Sequence, residues 1–397
     1  MQQRKGSYFW LVLGLLLASC TPQAATQPAV PTRLPTKEAP ATLAVPTIQT
    51  CAQPIKIAII GAMSGTNSVL GDWMTKGVTL AVEQKNAAGG VQGCQISLVI
   101  YDDEADTTKS TELAEKVASS DNVMAVWATT NSGTALADLP TFEQYKIPQL
   151  TNGTNVTITQ QGSAYVFRVN PAGPAYEDPP IDYLVKDGKT KFAIIGDDTA
   201  YGKGEAIYQS AALARNLLPP TATEEFGADD TDFTEELTRI FATQPEVLLL
   251  ACSEVAGGLI AKQARELGFT GIIAGGSAMG SPKFIEIAGE AAEGVYFTTP
   301  YPGNDANAQT RAFAAAYKDR WGEDPELHGA NTYDGTNMLL IAMENANPLT
   351  PENVALQMHN ICGYQGLQGN FCYDENGEGI KVTTLGVIEN GQLTYIH

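Results

Sequence analysis

From residue 54 onward, short apolar runs alternate with segments whose apolar positions recur every three to four residues. The run at 55–60 reads as a strand buried on both faces. A loop over 61–71 leads to helical periodicity over 73–88, which stops at Gly89-Gly90. The spacing then predicts a strand over 95–101, a helix over 108–119, a strand over 123–127, a helix over 134–145 and a short strand at 149–150. After a proline-dense stretch at 171–180 a second series begins. It has strands at 192–196, 247–251, 272–274 and 295–299, with helices at 204–215, 233–242 and 258–267. Helices return at 306–321, 336–345 and 351–359. A hairpin closes the chain, 382–388 against 393–396, turning at Asn390-Gly391. Strands alternating with helices imply parallel sheets with right-handed crossovers. The chain therefore reads as an α/β protein with two sheets in succession.

The first fifty residues differ in kind. Arg4 and Lys5 precede an apolar run over 9–18, the length of a signal h-region and too short for a membrane span. The run ends in Leu17-Ala18-Ser19-Cys20, similar to a bacterial lipobox. Small side chains at 18 and 19 suit the peptidase, and the Cys20 thiol would accept the lipid; the other reading is an ordinary secretory peptide with a chance cysteine. Residues 21–50 are rich in Pro, Thr and Ala and lack side chains for a core. They read as a disordered linker, a tether beside the lipobox. Residues 51–397 have the length of two lobes of roughly 100–200 residues each.

The net charge of −20 argues against nucleic acid and against anionic lipid surfaces as partners. Of six cysteines, Cys51 and Cys94 each precede a strand, and adjacent parallel strands would bring them together as a disulfide. Cys362 and Cys372 flank a Gly-rich stretch suited to a hairpin and a second bond. Export to an oxidising compartment permits both. Cys252 lies inside an apolar run and reads as a buried free thiol.

Several dispersed segments then resemble one family. They are Gly61-Ala62-Met63-Ser64-Gly65, Asn86-Ala87-Ala88-Gly89-Gly90-Val91, Tyr101-Asp102-Asp103, Ile147-Pro148-Gln149-Leu150, Tyr201-Gly202-Lys203-Gly204, residues 287–294, Tyr333-Asp334 and residues 370–377. Their order and spacing over 56–397 resemble the type I periplasmic binding proteins of the branched-chain amino-acid (Leu/Ile/Val-binding) group. That resemblance implies two Rossmann-like lobes with parallel sheets, joined by a hinge that the chain crosses several times. Lobe one would comprise 51–173 with 303–365, and lobe two 174–302 with 366–397. It also implies a small-molecule ligand held between the lobes, an ABC permease as partner, and an extracytoplasmic place on the cell membrane. A lipid-anchored monomer without cofactor or metal is expected.

Ligands of open parallel sheets bind beyond the carboxyl ends of the strands. Ser132, at a helix start, offers a hydroxyl and free N–H groups to a carboxylate, or else simply caps the helix. The resemblance adds a backbone contact at Gly153 and a side-chain contact at Asn155, where Asn-Gly also suits a plain turn. It makes Tyr201 an aromatic lid, the alternative being cover for a sheet edge. Trp73 lines the pocket or belongs to the core. The family's second lobe-two aromatic aligns with Ser253, and its usual carboxylate for a ligand ammonium aligns with Ser277. A serine is no counter-charge, so a neutral or acidic ligand gains relative to an amino acid. Glu254 stands beside Ser253, as a substitute anion or a solvent-facing helix start.

The acidic loop at 102–106 could hold calcium, but helix capping suits its spacing better. Gly275-Gly276-Ser277-Ala278-Met279 lacks the last glycine of a nucleophile elbow. Gly202-Lys203-Gly204 has Ile207 where a dinucleotide loop needs its third glycine. His328, His359 and His397 have no triad or metal spacing. An enzyme is not expected. The alternative to import is a sensing or cell-wall-synthase-regulating lipoprotein of the same fold.

Overall fold

The structure, a computed structural model, describes residues 51–396. The expected signal peptide, the Cys20 anchor, the 21–50 linker and His397 lie outside the described residues. Lobe one opens with β1 (Ile55–Gly61), α1 (Ser68–Ala87), β2 (Ile96–Asp102), α2 (Thr107–Ser120), β3 (Val123–Ala128), α3 (Ser132–Tyr145), β4 (Gln149–Thr151) and β5 (Val166–Arg168). The strands are parallel, in the order β2-β1-β3-β4-β5. Alternate side chains of a strand point to opposite faces, and β1 uses both. Ile57 and Ile59 pack with Met74 and Val78 of α1, while Ala58 and Ile60 pack with Val117 of α2 and Phe142 of α3.

Lobe two contains α4 (Pro174–Lys186), β6 (Phe192–Asp197), α5 (Ala200–Arg215), β7 (Ala222–Phe226), α6 (Thr234–Phe241), β8 (Val247–Ala251), α7 (Glu254–Glu266), β9 (Ile272–Gly275), α8 (Pro282–Ala288) and β10 (Tyr296–Thr299). Its strands are likewise covered on both faces: Leu248 and Leu250 of β8 enter one cluster, Val247 and Leu249 the other. The chain then returns to lobe one for α9 (Ala308–Trp321), α10 (Leu327–Asn345), α11 (Pro351–His359), β11 (Cys362–Gly366), β12 (Gly369–Tyr373) and β13 (Gly379–Ile380). It ends in β14 (Thr384–Glu389) and β15 (Gln392–Tyr395). These complete the sheet β15-β14-β10-β9-β8-β6-β7, antiparallel only at β10-β14 and β14-β15.

The last crossing falls later than the sequence places it. Phe371 and Tyr373 of β12 belong to the lobe-one core, and the Arg168 N–H donates to the Gly377 carbonyl at 2.8 Å. Residues 366–380 therefore stay with lobe one, and lobe two resumes at Thr384 rather than Gly366. Two further elements escape the sequence pattern. Helix α4 contains Pro179 and Pro180, which read as breakers, yet Pro174 starts it at N1 and Tyr176, Ile181 and Leu184 bury one face. Helix α10 begins at Leu327, nine residues before the expected Thr336. Its first turns are rich in Gly, Asn and Thr because α1 lies hard against them. A Cβ on Gly77 would come within 2.1 Å of Thr332 Oγ1 and 2.3 Å of the Gly329 carbonyl oxygen.

Cys51 is bonded to Cys94 and Cys362 to Cys372, the latter directly opposed across β11 and β12. Cys252 is free and buried. Asp106 caps α2, accepting from the Lys109 N–H at 2.7 Å, and Asp102 accepts from the Met63 N–H and Ser64 Oγ. Among the described residues no helix is long and apolar enough to cross a membrane.

Candidate functional site: the inter-lobe chamber

Strand ends build the site. Past the carboxyl end of β3 stand Thr130 and Asn131, and past β4 Asn152 and Thr154. From lobe two come Asp197, Thr199 and Tyr201 after β6, Ser253 and Glu254 after β8, and Ser277 after β9. All face one chamber of about 60 Å³. A single water needs about 10–15 Å³ by this measure, so the space suits a small molecule. Asn67 and Leu70 border it on one side; Leu327, His328 and Asn331 of α10 border it on another.

The lobes meet around the chamber. Thr154 Oγ1 donates to Glu205 Oε1 at 2.5 Å, Asn155 Nδ2 to the Ala200 carbonyl at 2.8 Å, and the Val156 N–H to Tyr208 Oη at 2.9 Å. Each joins the loop after β4 to α5.

The sequence-derived residues divide into two groups. Tyr201 and Ser277 line the chamber, Tyr201 from the first turn of α5 rather than from a loop. Burial pushes the Tyr201 phenol well above its usual pKa, with Glu205 and Glu254 nearby adding to the effect. Ser132, Gly153, Asn155 and Trp73 stand one layer back. Ser132 is fully buried at the first position of α3, and the cap is Asn131, whose side chain accepts from the Gly133 N–H. Ser132 Oγ accepts instead from the Asn155 N–H at 3.3 Å. Gly153 is pressed against Ser132 and Ile158. Trp73 stacks on His328, ring centroids 5.7 Å apart and planes nearly parallel.

The offset has a physical cause. Residues 152–155 present different groups to their two sides. Asn152 and Thr154 face the chamber; the carbonyls of Gly153 and Asn155 face Arg168. That guanidinium is fully buried, donates to both carbonyls, and pairs with Glu378 at 2.9 Å. Asn131 and the pair Asn152/Thr154 are each within a residue of an expected contact. His328 and Asn331 had no such neighbour, because the start of α10 was not legible.

Polar groups in the chamber are incompletely matched within the protein. Asn152 is 3 % exposed, yet its side-chain Oδ1 and Nδ2 have no hydrogen-bond partner; the same holds for Asn170 Oδ1 and Asn331 Nδ2. Buried polar atoms are nearly always paired, so unpaired ones facing a chamber mark a ligand surface. Asn331 is oriented by Lys381 Nζ and Gln368 Nε2, both donating to its Oδ1, which leaves Nδ2 as a donor. His328 Nδ1 sits 2.9 Å from Glu326 Oε2. Burial opposes charge on that imidazole, but Glu326 and, across the cleft, Glu254 outweigh it and raise its pKa. Glu254 is 4 % exposed, not a solvent-facing helix start.

Behind Thr154, Glu205 and Glu177 form a buried acid pair. Burial pushes both carboxyls up, and repulsion from Glu205 raises Glu177 further. Gln209 Nε2 donates to Glu177 Oε2 at 2.7 Å, and Glu177 Oε1 lacks a donor.

Known proteins are similar along this whole architecture. A sequence profile of the periplasmic binding protein family matches residues 54–392. A leucine-, isoleucine-, valine-, threonine- and alanine-binding protein of Pseudomonas aeruginosa is 26 % identical over 333 residues, covering 82 % of this chain and 87 % of that protein. A Leu/Ile/Val-binding protein homologue of Brucella abortus is 28 % identical over 320 residues, covering 80 % and 85 %. The crystal structure of a leucine-binding protein from Thermotoga maritima superposes with a TM-score of 0.80 at 29 % identity, covering 86 % of this chain and 98 % of that one. The two parallel-sheet lobes, their repeated crossings and the match over most of the chain agree: this protein belongs to the periplasmic binding protein family, a family of extracytoplasmic substrate-binding proteins and not of enzymes.

Proposed function

We propose that this chain is the solute-binding lipoprotein of an ABC importer, closing as a monomer over one small amino acid, amide or organic acid. The observation that carries this reading is Asn152. It is a buried amide with both side-chain atoms unpartnered, aimed into a chamber walled by two lobes. A solute touching both lobes favours the closed form by its differential affinity. Lobe one supplies Thr130, Asn131, Asn152 and Thr154 to the ligand's carboxylate or carbonyl. Lobe two supplies Tyr201 as the lid and Ser277 as a neutral partner. Ser132, Gly153, Asn155 and Trp73 hold these groups in place from behind. Cys20 carries the lipid, and residues 21–50 span from the membrane to the lobes, so that the loaded protein reaches its permease. The Pseudomonas relative's amino-acid ligands fit the chamber's small size.

Thermal melts against a library of amino acids, amides and small organic acids, followed by calorimetry on the hits, test the proposal. Saturable one-site binding supports it. A library without a single stabilising compound overturns it.

A further inference from the structure

No lysine or arginine lines the chamber among the described residues, yet a lysine stands behind one of its walls. Lys381 lies in the stretch 381–383, by which the chain leaves β13 for β14 and lobe two. The next two residues face elsewhere: Val382 is exposed, and Thr383 Oγ1 donates to the Ala175 carbonyl of α4 at 2.9 Å. Lys381 itself turns inward. Its Nζ donates to Gln368 Oε1 at 2.6 Å and to Asn331 Oδ1 at 3.2 Å, and lies 5.2 Å from the centre of the Phe371 ring. Burial pushes its pKa down to about 8, with Asp334 pulling the other way, so the ammonium persists at neutral pH. Asp334 is held in turn by the Leu367 N–H at 2.9 Å.

That charge decides which way two amides face. An ammonium has three donors and no acceptor, so each side-chain amide it touches must turn its oxygen toward it. Gln368 presents Oε1 to Lys381, and its Nε2 therefore points to Asn331 Oδ1. Asn331 Oδ1 receives both donors. Its Nδ2 is left over, buried and without a partner inside the protein, on a residue that lines the chamber. Without the lysine, both amides could turn end for end with almost no change of shape, since their oxygen and nitrogen ends are nearly equal in size. The wall would then show an oxygen as readily as an N–H. We propose that Lys381 is a positioning residue for cargo recognition: through Gln368 and Asn331 it fixes the α10 wall of the chamber as a hydrogen-bond donor, to which the cargo presents an acceptor oxygen. This rests on the solute-binding reading above and adds to it a residue that touches no cargo.

The test is a double-mutant cycle read by calorimetry. The probe is the tightest binder among the amino acids, their amides and the carboxylic acids of the same skeletons. Lys381→Met keeps an apolar stem and removes the charge, and should weaken binding by about tenfold. Asn331→Leu should weaken it at least as much. In the Asn331→Leu background, Lys381→Met should cost less than about threefold more, because Asn331 is its route to the cargo. Lys381→Arg, again a cation with donors only, should recover most of the affinity. A tenfold loss in both backgrounds would mark a merely structural role and overturn the assignment while leaving solute binding intact. Unchanged affinity in folded Lys381→Met overturns it too. A second readout needs only wild type as the binding protein. With isotope-labelled asparagine, the Asn331 side-chain amide signal, identified by its absence from Asn331→Leu, should move when the probe is added. A signal that stays in place overturns the proposal. If no compound of these kinds binds wild type, the solute-binding reading fails and the assignment falls with it.

Discussion

Thr154 Oγ1 donates to Glu205 Oε1 over 2.5 Å, so a residue that lines the chamber from lobe one is tied to a buried acid of lobe two. The link bridges the two lobes. Thr154→Val keeps the shape and removes the donor. A hydrogen bond to a carboxyl contributes about 1.5–3 kcal/mol, so ligand affinity should fall about tenfold or more. Calorimetry of the variant beside wild type reads the change; equal affinities would show that the link does not hold the closed form.

Arg168 is the support of the loop that carries Asn152 and Thr154. It is fully buried, bonded to the Gly153 and Asn155 carbonyls and paired with Glu378. Arg168→Met strands both carbonyls and the Glu378 carboxylate. Breaking one side of a buried pair costs about 3–5 kcal/mol. The melting temperature should drop, and ligand affinity should drop with it because the loop loses its seat. A variant as stable as wild type would contradict this role.

The Glu177–Glu205 pair makes a prediction about pH. Burial raises both folded-state pKa values above the ordinary glutamate value, and repulsion from Glu205 raises Glu177 further. The folded state therefore binds protons more tightly than the unfolded chain, and stability falls as pH rises through that window. Glu177→Gln removes the second charge and lets an amide donate toward Glu205. It should raise the melting temperature by about 1–3 °C at pH 8 and flatten its decline between pH 5 and pH 8. A variant less stable than wild type at pH 8 would count against a shared proton.

Much of this architecture was legible because buried strands are short and apolar and their helices keep a 3.6-residue period. Val247 to Ala251 and Pro351 to His359 fall where the pattern places them. The failures have local causes. The edge strand β7 has a half-polar sequence, ATEEF, because only one side of it is covered. The start of α10 gives up apolar residues for small ones where α1 presses on it, and so His328 and Asn331 went unseen. In lobe one of the site the loops are legible, but Asn131, Asn152 and Thr154 line the chamber in place of their neighbours Ser132, Gly153 and Asn155. The sequence leaves Glu254 open between a substitute anion and a solvent-facing helix start; only the packed lobes reveal its burial.

That displacement separates Ser132 from Asn152. Ser132 Oγ accepts a 3.3 Å hydrogen bond from the Asn155 N–H and does not line the chamber. Ser132→Ala should therefore cost about 0.5–1.5 kcal/mol of stability and change affinity by less than about threefold. A tenfold loss of affinity at unchanged stability would return Ser132 to the ligand.

The most direct measurement is a calorimetric titration of wild type and Asn152→Ala with whichever library compound raises the melting temperature most. A solute held in the inter-lobe chamber requires one-site binding to wild type and a loss of about tenfold or more in the variant, with its fold retained. Equal affinity in the two proteins would place the ligand elsewhere and contradict the account.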